Sequence, residues 1–221
     1  MIVLILSFVI VMVFWGAYEQ AGGLLNLFAR DKIDRSLFGM VIPTSFFQSL
    51  PALFVIVFGM PIAFLWTKWQ QKGKESSSLF KMGMGTIVMG FGFLLLAKAA
   101  LDAVGSIDGT ASIYFLIGAY LLHVLGELSI SPVALSFITK LAPIKYASFM
   151  MGAYFMVTGI GNKIAGLLGE AAQKQGEYIV FISVFVFCVL FGLLLLVFVK
   201  KLKKLTHGAD ISKTEKPIAV E

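Results

Sequence analysis

One cysteine, two histidines, twelve acidic residues and eighteen basic ones are all the reactive and charged chemistry that this 221-residue chain carries. The lone Cys188 excludes a disulfide within one chain and any cysteine metal site, and no metal is expected elsewhere. Charged residues make up only 14% of the chain, against about 25% in an average soluble domain. No polar stretch ahead of the last few residues is long enough to build a separate soluble domain. The net charge of +6 is not a nucleic-acid signature. Lys200, Lys201, Lys203 and Lys204 cluster directly after the last apolar stretch, where stop-transfer charges sit. No nucleic-acid partner is expected.

Apolar residues fill the space that charge leaves. Hydrophobic side chains account for 59% of the sequence and mean hydropathy is +0.93, so the chain reads as an all-α integral membrane protein with lipid as its partner. At a rise of ~1.5 Å per residue, about 20 apolar residues cross the hydrocarbon core. Six stretches qualify, at 2–28, 41–66, 80–100, 113–139, 146–168 and 178–199. They are too long and too free of polar alternation for barrel strands. Short polar connections separate them, as between antiparallel helical neighbours. Residues 1–202 are expected to form this bundle, with 203–221 a polar, disordered cytoplasmic tail.

Orientation follows from lysine and arginine. The second and fourth connections and the tail hold Lys68, Lys72, Lys74, Lys81, Lys140, Lys145 and six further lysines. The other connections hold Arg30, Lys32, Arg35, Lys98 and Lys174. Twelve against five places the first group, and both termini, in the cytoplasm of an inner (plasma) membrane. Residues 1–15 have no basic leader and no small-residue cleavage site, so a signal peptide is not expected. A chain that starts inside an apolar stretch looks like the continuation of a longer one.

Small residues mark where helices meet: Gly83, Gly85, Gly90 and Gly92 in the third stretch, and Gly152, Gly159, Gly161 and Gly166 in the fifth. Pro51, Pro61 and Pro132 are positioned to kink the second and fourth stretches.

Two stretches carry a carboxylate near mid-span, Glu19 and Glu127. A charge at the bilayer centre costs about 2.5–3.5 kcal/mol on insertion scales, so each is a functional candidate by default. Trp15, Glu19, Gly22 and Asn26 recur at i, i+4, i+7 and i+11, one face of a regular helix, which must look into a bundle or an aqueous path. The alternative for Glu19 is a hydrogen bond that glues two helices. In the fourth stretch His123 and Glu127 stand at i, i+4, with Tyr120 and Ser131 on the same side. A His/Glu pair there points to proton handling, while His123 by itself reads as a packing histidine. Lys163 is the one basic residue placed near the depth of Glu127. A natural partner, an amine or a guanidinium, would come from a substrate or from another chain segment. An intramembrane hydrolase is disfavoured, because Ser129 and Ser131 are badly placed for His123.

Gly126-Glu127-Leu128-Ser129-Ile130-Ser131-Pro132-Val133-Ala134-Leu135-Ser136, followed by Thr139-Lys140-Leu141-Ala142-Pro143, resembles the tenth-helix signature of the proton-coupled oligopeptide transporters. Phe14-Trp15-Gly16-Ala17-Tyr18-Glu19-Gln20 looks like the start of that family's seventh helix. Ile42-Pro43-Thr44-Ser45-Phe46-Phe47-Gln48-Ser49 resembles its eighth, and Met150-Met151-Gly152-Ala153-Tyr154-Phe155 its eleventh. The resemblance implies six transmembrane helices that form the C-terminal half of a major-facilitator fold, facing an N-terminal six-helix half across a central cavity. It further implies proton-coupled uptake of di- or tripeptides, with protons as the coupling ion, no other cofactor and no enzymatic activity. Glu127 would receive the peptide amino group, with Trp15, Ser131 and Tyr154 lining the pocket. Glu19, with Glu127 and His123, would serve proton coupling or gating. Two positions depart from the pattern: Pro51-Ala52 stands where Asn-Pro is usual, and Tyr154 where tryptophan is usual. Alternatives are a non-transporting remnant, one half of a split transporter, or a carrier of another amino-group substrate.

Overall fold

The structure, a computed structural model, describes residues 2–37, 39–141 and 144–205. Most of them are helical: α1 (Ile2–Tyr18), α2 (Leu24–Lys32), α3 (Thr44–Phe47), α4 (Leu50–Gln71), α5 (Ser78–Gly105), α6 (Ile113–Leu141), α7 (Ala147–Gln175) and α8 (Glu177–Leu205). A turn of tighter 3-10 helix, Glu19–Gly22, joins α1 to α2.

The first apolar stretch is therefore not one straight helix. Gly22 and Gly23 follow each other, and Gly23 takes φ −116°, ψ −90°, outside the helical region. Adjacent small residues are a common cause of such a break. Gln20 compensates locally: its side-chain amide donates to the Gly16 carbonyl at 3.1 Å and to the Ala165 carbonyl of α7 at 3.3 Å. The break and the bond between helices thus share one residue.

The second stretch is also divided, with α3 ending before Gln48 and α4 starting at Leu50. Pro51 lies in the first turn of α4, where a missing N–H costs nothing, so it starts this helix rather than kinking it. Pro61 and Pro132 do lie inside α4 and α6.

Among the described residues, four helical spans are long and apolar enough to cross a membrane: Thr44–Gln71, Ser78–Gly105, Ile113–Leu141 and Glu177–Leu205. Hydropathy suggested six stretches; these four match it as long helical spans, while the first and fifth differ from an uninterrupted apolar span. α1 has only 17 residues before its break. α7 has 29, but Asn162, Lys163, Glu170 and Lys174 dilute its apolar character. α8 continues as helix to Leu205, three residues into the stretch assigned to the tail. The rest of that tail, from residue 206, and Ala142-Pro143 lie outside the described residues.

α5 is the packing centre, pressed between α6 and α8, while α1 packs on α7 and α4 leans on α6. Glycine makes the α5 contacts close. A Cβ built on Gly85 would lie 2.7 Å from the Gly126 carbonyl, and one built on Gly192 would lie 2.8 Å from the Gly83 carbonyl. All four glycines singled out in α5 sit at such crossings, whereas in α7 only Gly161 does; Gly152, Gly159 and Gly166 face open space. α4 buries Leu50 alone.

Short strand pairings tie the connections together. β1 (Ile33–Asp34) pairs in parallel with β4 (Ala111–Ser112), so the first and third connections share one end of the bundle. β2 (Ser36–Leu37) and β3 (Met40–Val41) form an antiparallel clip. At the other end, Glu75 of the second connection meets Lys203 at 3.7 Å. This alternation is what antiparallel helical neighbours require.

Candidate functional site

Three helices converge on Glu127. It projects from α6 toward α1, where the Tyr18 hydroxyl donates a hydrogen bond to its Oε2. Tyr18 belongs to an aromatic group on the same helix: the Phe14 ring stacks on it at 5.4 Å, and Trp15 meets it edge-on at 5.4 Å. Trp15 in turn reaches α7, its Nε1 donating to Tyr154 Oη at 3.4 Å. The α1–α7 crossing that permits this is tight, since a Cβ on Gly161 would lie 3.0 Å from Trp15 Cβ and from the Met12 carbonyl. Trp15, Glu127 and Tyr154, named from sequence, are thus joined to one another through α1.

The fourth pocket candidate, Ser131, lies one turn beyond Glu127, and its buried Oγ has no hydrogen-bond partner. Pro132 follows it, inside α6, and has no N–H for the Leu128 carbonyl. A partnerless buried hydroxyl beside a weakened turn is a place where an incoming polar group gains hydrogen bonds.

Glu127 has no ion-pair partner among the described residues; Lys163 is exposed on α7 and does not reach it. A phenol can share a proton with a carboxylate but cannot neutralise it. The site therefore combines an acceptor, a neutral donor and aromatic walls, which suits a cationic group.

His123 is not part of this group. It does not bond Glu127, although the two are one turn apart. Positions i and i+4 differ by about 40° around a helix, and here His123 turns to α5 while Glu127 turns to α1. His123 is buried with neither ring nitrogen hydrogen-bonded, its ring 4.5 Å from that of Phe93. Gly92 makes the room, since a Cβ there would lie 2.5 Å from His123 Cδ2. Ser129 is no nucleophile for it, because its hydroxyl donates to the Leu125 carbonyl at 3.1 Å and accepts from Trp66 Nε1 at 3.2 Å.

Glu19 makes no hydrogen bond to Glu127, although the two carboxylates lie close enough to repel. The 3-10 turn that begins at Glu19 and the break at Gly23 take Gly22 and Asn26 off the regular helix on which the Trp15–Glu19–Gly22–Asn26 stripe was drawn. Glu19 lines an open groove of about 450 Å³ between this turn, α2 and α7, with Gln20, Asn162, Glu170 and Gln173 as its other polar walls. Gln20 Oε1 and Asn26 Oδ1 are buried without partners in the same region. Sequence reasoning missed Tyr18 and Gln20 as functional partners. Gln20 lies in the 3-10 turn, whose geometry gives its direction, whereas Tyr18 ends regular α1 three residues after Trp15, a spacing that could have found it.

The sequence profile of the POT family (PTR2) matches residues 1–193. The chain is 37% identical over 156 residues to the peptide transporter YePEPT of Yersinia enterocolitica, covering 71% of this chain and 30% of that protein. It is 30% identical over 201 residues to the uncharacterized transporter YclF of Bacillus subtilis, covering 91% of this chain and 40% of that protein. Among solved structures, a peptide transporter POT in complex with sulfate superimposes with a TM-score of 0.83 at 27% identity, over 92% of this chain and 40% of that one. The chain thus spans about a third of the length of the relatives it matches. With the profile covering all but the last residues and the helical arrangement shared, this chain belongs to the POT family of membrane transporters.

Proposed function

We propose that this chain supplies the C-terminal six-helix half of a proton-coupled symporter for di- and tripeptides, working in the inner (plasma) membrane with both termini in the cytoplasm. The observation that carries the reading is Glu127. It is a carboxylate on a membrane-length helix, held by a neutral tyrosine and facing no basic side chain among the described residues. In the POT family frame such a group receives the peptide ammonium. Trp15 and Tyr154 form a rigid aromatic wall beside it, and Ser131 offers its partnerless hydroxyl to the peptide.

On this reading the counting of helices is set by the assembled transporter: α1 with α2 makes one membrane crossing in spite of its break, and α7 makes another in spite of its polar residues. The exposed faces of α4 and α7, including Gly152, Gly159 and Gly166, then turn toward a partnering six-helix half and the central cavity. Protons enter as the coupling ion. A proton on a cavity carboxylate changes which partner that carboxylate holds, and this biases one access state over the other. Glu19, in the polar groove, is the group assigned to coupling. His123 belongs to the α5–α6 packing.

Dipeptide uptake into proteoliposomes under an inward proton gradient tests the proposal. The assembled transporter is expected to accumulate peptide and to stop when the gradient is collapsed. The 221 residues alone are expected to accumulate none. Gradient-driven uptake by this polypeptide alone, or uptake indifferent to the gradient, would overturn it.

A further inference from the structure

The packed face of α7 is set by Tyr154, Val157, Gly161, Ala165 and Ala172, with Gly161 against Trp15 of α1. Gly161 is also the midpoint of this helix, Ala147–Gln175. Lys163 follows two residues later, and at about 100° per residue it leaves the opposite side of α7, where it is exposed. Gly159 and Gly166, one turn to either side of it, face open space. Among the described residues Lys163 has no acid within ion-pair reach, and Glu170, two turns along on the same side, already holds Lys174 at 2.7 Å. With α7 centred in a hydrocarbon core of about 30 Å, Lys163 sits about 12 Å below the outer boundary. That is further than a four-carbon stem reaches, and the Cα–Cβ bond tilts toward the helix N-terminus, away from that boundary. An ammonium so placed does not snorkel to the nearer headgroups. Lysines at such depth face a bundle interior and pair with an acid.

We infer that Lys163 forms an intramembrane ion pair with a carboxylate on a helix of the partnering six-helix half, tying the two halves together on the side of α7 away from Glu127. The inference rests on the reading of this chain as half of a transporter, and it names one contact of the face assigned there to the partner. A glycine above and below the lysine leaves room for a helix backbone to come close, and charge complementarity fixes what that helix carries. The substrate's own carboxylate is not the occupant, because Lys163 is turned away from the Trp15–Tyr154 wall beside Glu127 and α7 itself stands between them. Nor is a lipid phosphate, which stays at headgroup depth beyond the lysine's reach.

Dicyclohexylcarbodiimide condenses a carboxylate with an adjacent amine into an amide and leaves as the urea. Applied to the assembled transporter in peptide-free membranes, it should join Lys163 to an Asp or Glu outside these 221 residues, as read by mass spectrometry of the digested protein. Lys163→Arg should lose the cross-link but keep the melting midpoint, since a guanidinium still pairs with a carboxylate. Lys163→Gln should lose the cross-link and melt several degrees lower without peptide, because an acid is left unpaired. A lysine facing lipid would melt no lower once its charge is gone. C-terminal amidation of a dipeptide should weaken binding by the same factor with and without Lys163→Gln. No cross-link from Lys163 beyond this chain, an unchanged or raised midpoint in Lys163→Gln, or an amidation penalty that vanishes in Lys163→Gln would overturn the inference. Gradient-driven dipeptide uptake by the same preparation keeps the two readings apart: uptake without the cross-link rejects the ion pair alone, and absent uptake rejects the transporter reading whatever the cross-link shows.

Discussion

The hydroxyl of Tyr18 on α1 donates a hydrogen bond to Glu127 on α6, across 109 residues of sequence. It is the one side-chain hydrogen bond that Glu127 makes among the described residues, and it places a neutral partner where a cation would be expected. A net hydrogen bond to a charged group contributes about 1.5–3 kcal/mol, enough to hold the carboxylate in place. It is also weak enough for a substrate ammonium to share or displace.

Tyr18→Phe tests the bond itself. The ring keeps its stacking on Phe14, but Glu127 loses its donor. Leaving a buried acceptor unsatisfied costs about 1–3 kcal/mol, so the unfolding midpoint in detergent should drop. Glu127→Gln in addition should restore part of the loss, since the amide no longer demands the same donor. Unchanged stability in Tyr18→Phe would show that the bond is not formed.

Helix crossings give a second expectation. A methyl on Gly85 would lie 2.6 Å from Ile130 Cγ1 and 2.7 Å from the Gly126 carbonyl, so backbones must part to admit it. Gly85→Ala should destabilise by about 1–3 kcal/mol or more. Gly159→Ala, with nothing within 4 Å, should change stability by about 0.5 kcal/mol at most. Chemical unfolding of both variants in the same micelles compares them directly, and equal effects would contradict the packing described.

Glu75, outside the membrane segments, should contribute to acid sensitivity. Burial alone would raise its carboxyl pKa, but Ser77 beside it, whose N–H donates to Oε1 at 2.9 Å, and the charge of Lys203 outweigh it and hold the value below the ordinary carboxylate range. A lowered folded-state pKa contributes stability that is present above the ordinary value and is lost as pH falls through the lowered one. The midpoint should therefore decline as pH falls below the ordinary carboxylate range, and Glu75→Gln should flatten that decline. An identical pH profile in Glu75→Gln would remove Glu75 from the account.

Glu19→Gln separates coupling from binding. In the assembled transporter, gradient-driven uptake should fall while counterflow exchange, which needs no net proton movement, survives in part. Equal loss of both would reject a coupling role and return Glu19 to the status of a polar tie between α1 and α7.

Much of this was legible in the sequence. The long apolar runs of α5, α6 and α8 needed no more than counting, and the glycines of α5 marked real crossings. That Glu127 lacked a basic partner followed from where lysine and arginine fall. What was not legible depended on direction. The spacing of His123 and Glu127 suggested a pair, but Gly92 opens a slot in α5 that takes the imidazole away. The face drawn through Trp15, Glu19 and Asn26 assumed 100° per residue, and the 3-10 turn at Glu19–Gly22 breaks that assumption. Tyr18 precedes that turn, and its i, i+3 spacing from Trp15 within α1 was a usable signal. Three of the α7 glycines looked like packing residues and face open space instead, a distinction that sequence alone does not draw.

Peptide binding to the assembled transporter carrying Glu127→Gln, with free and N-acetylated dipeptide in parallel, addresses the central claim most directly. The substitution keeps shape and most hydrogen bonding but deletes the charge. If Glu127 receives the peptide ammonium, affinity for the free dipeptide should fall by about 3–5 kcal/mol, the cost of breaking a buried charged pair from one side. Acetylation should then cost the variant little more, because both changes remove the same interaction. Binding of the free dipeptide at unsubstituted strength, or losses from substitution and acetylation that simply add, would contradict the assignment of Glu127 as the substrate's anchor.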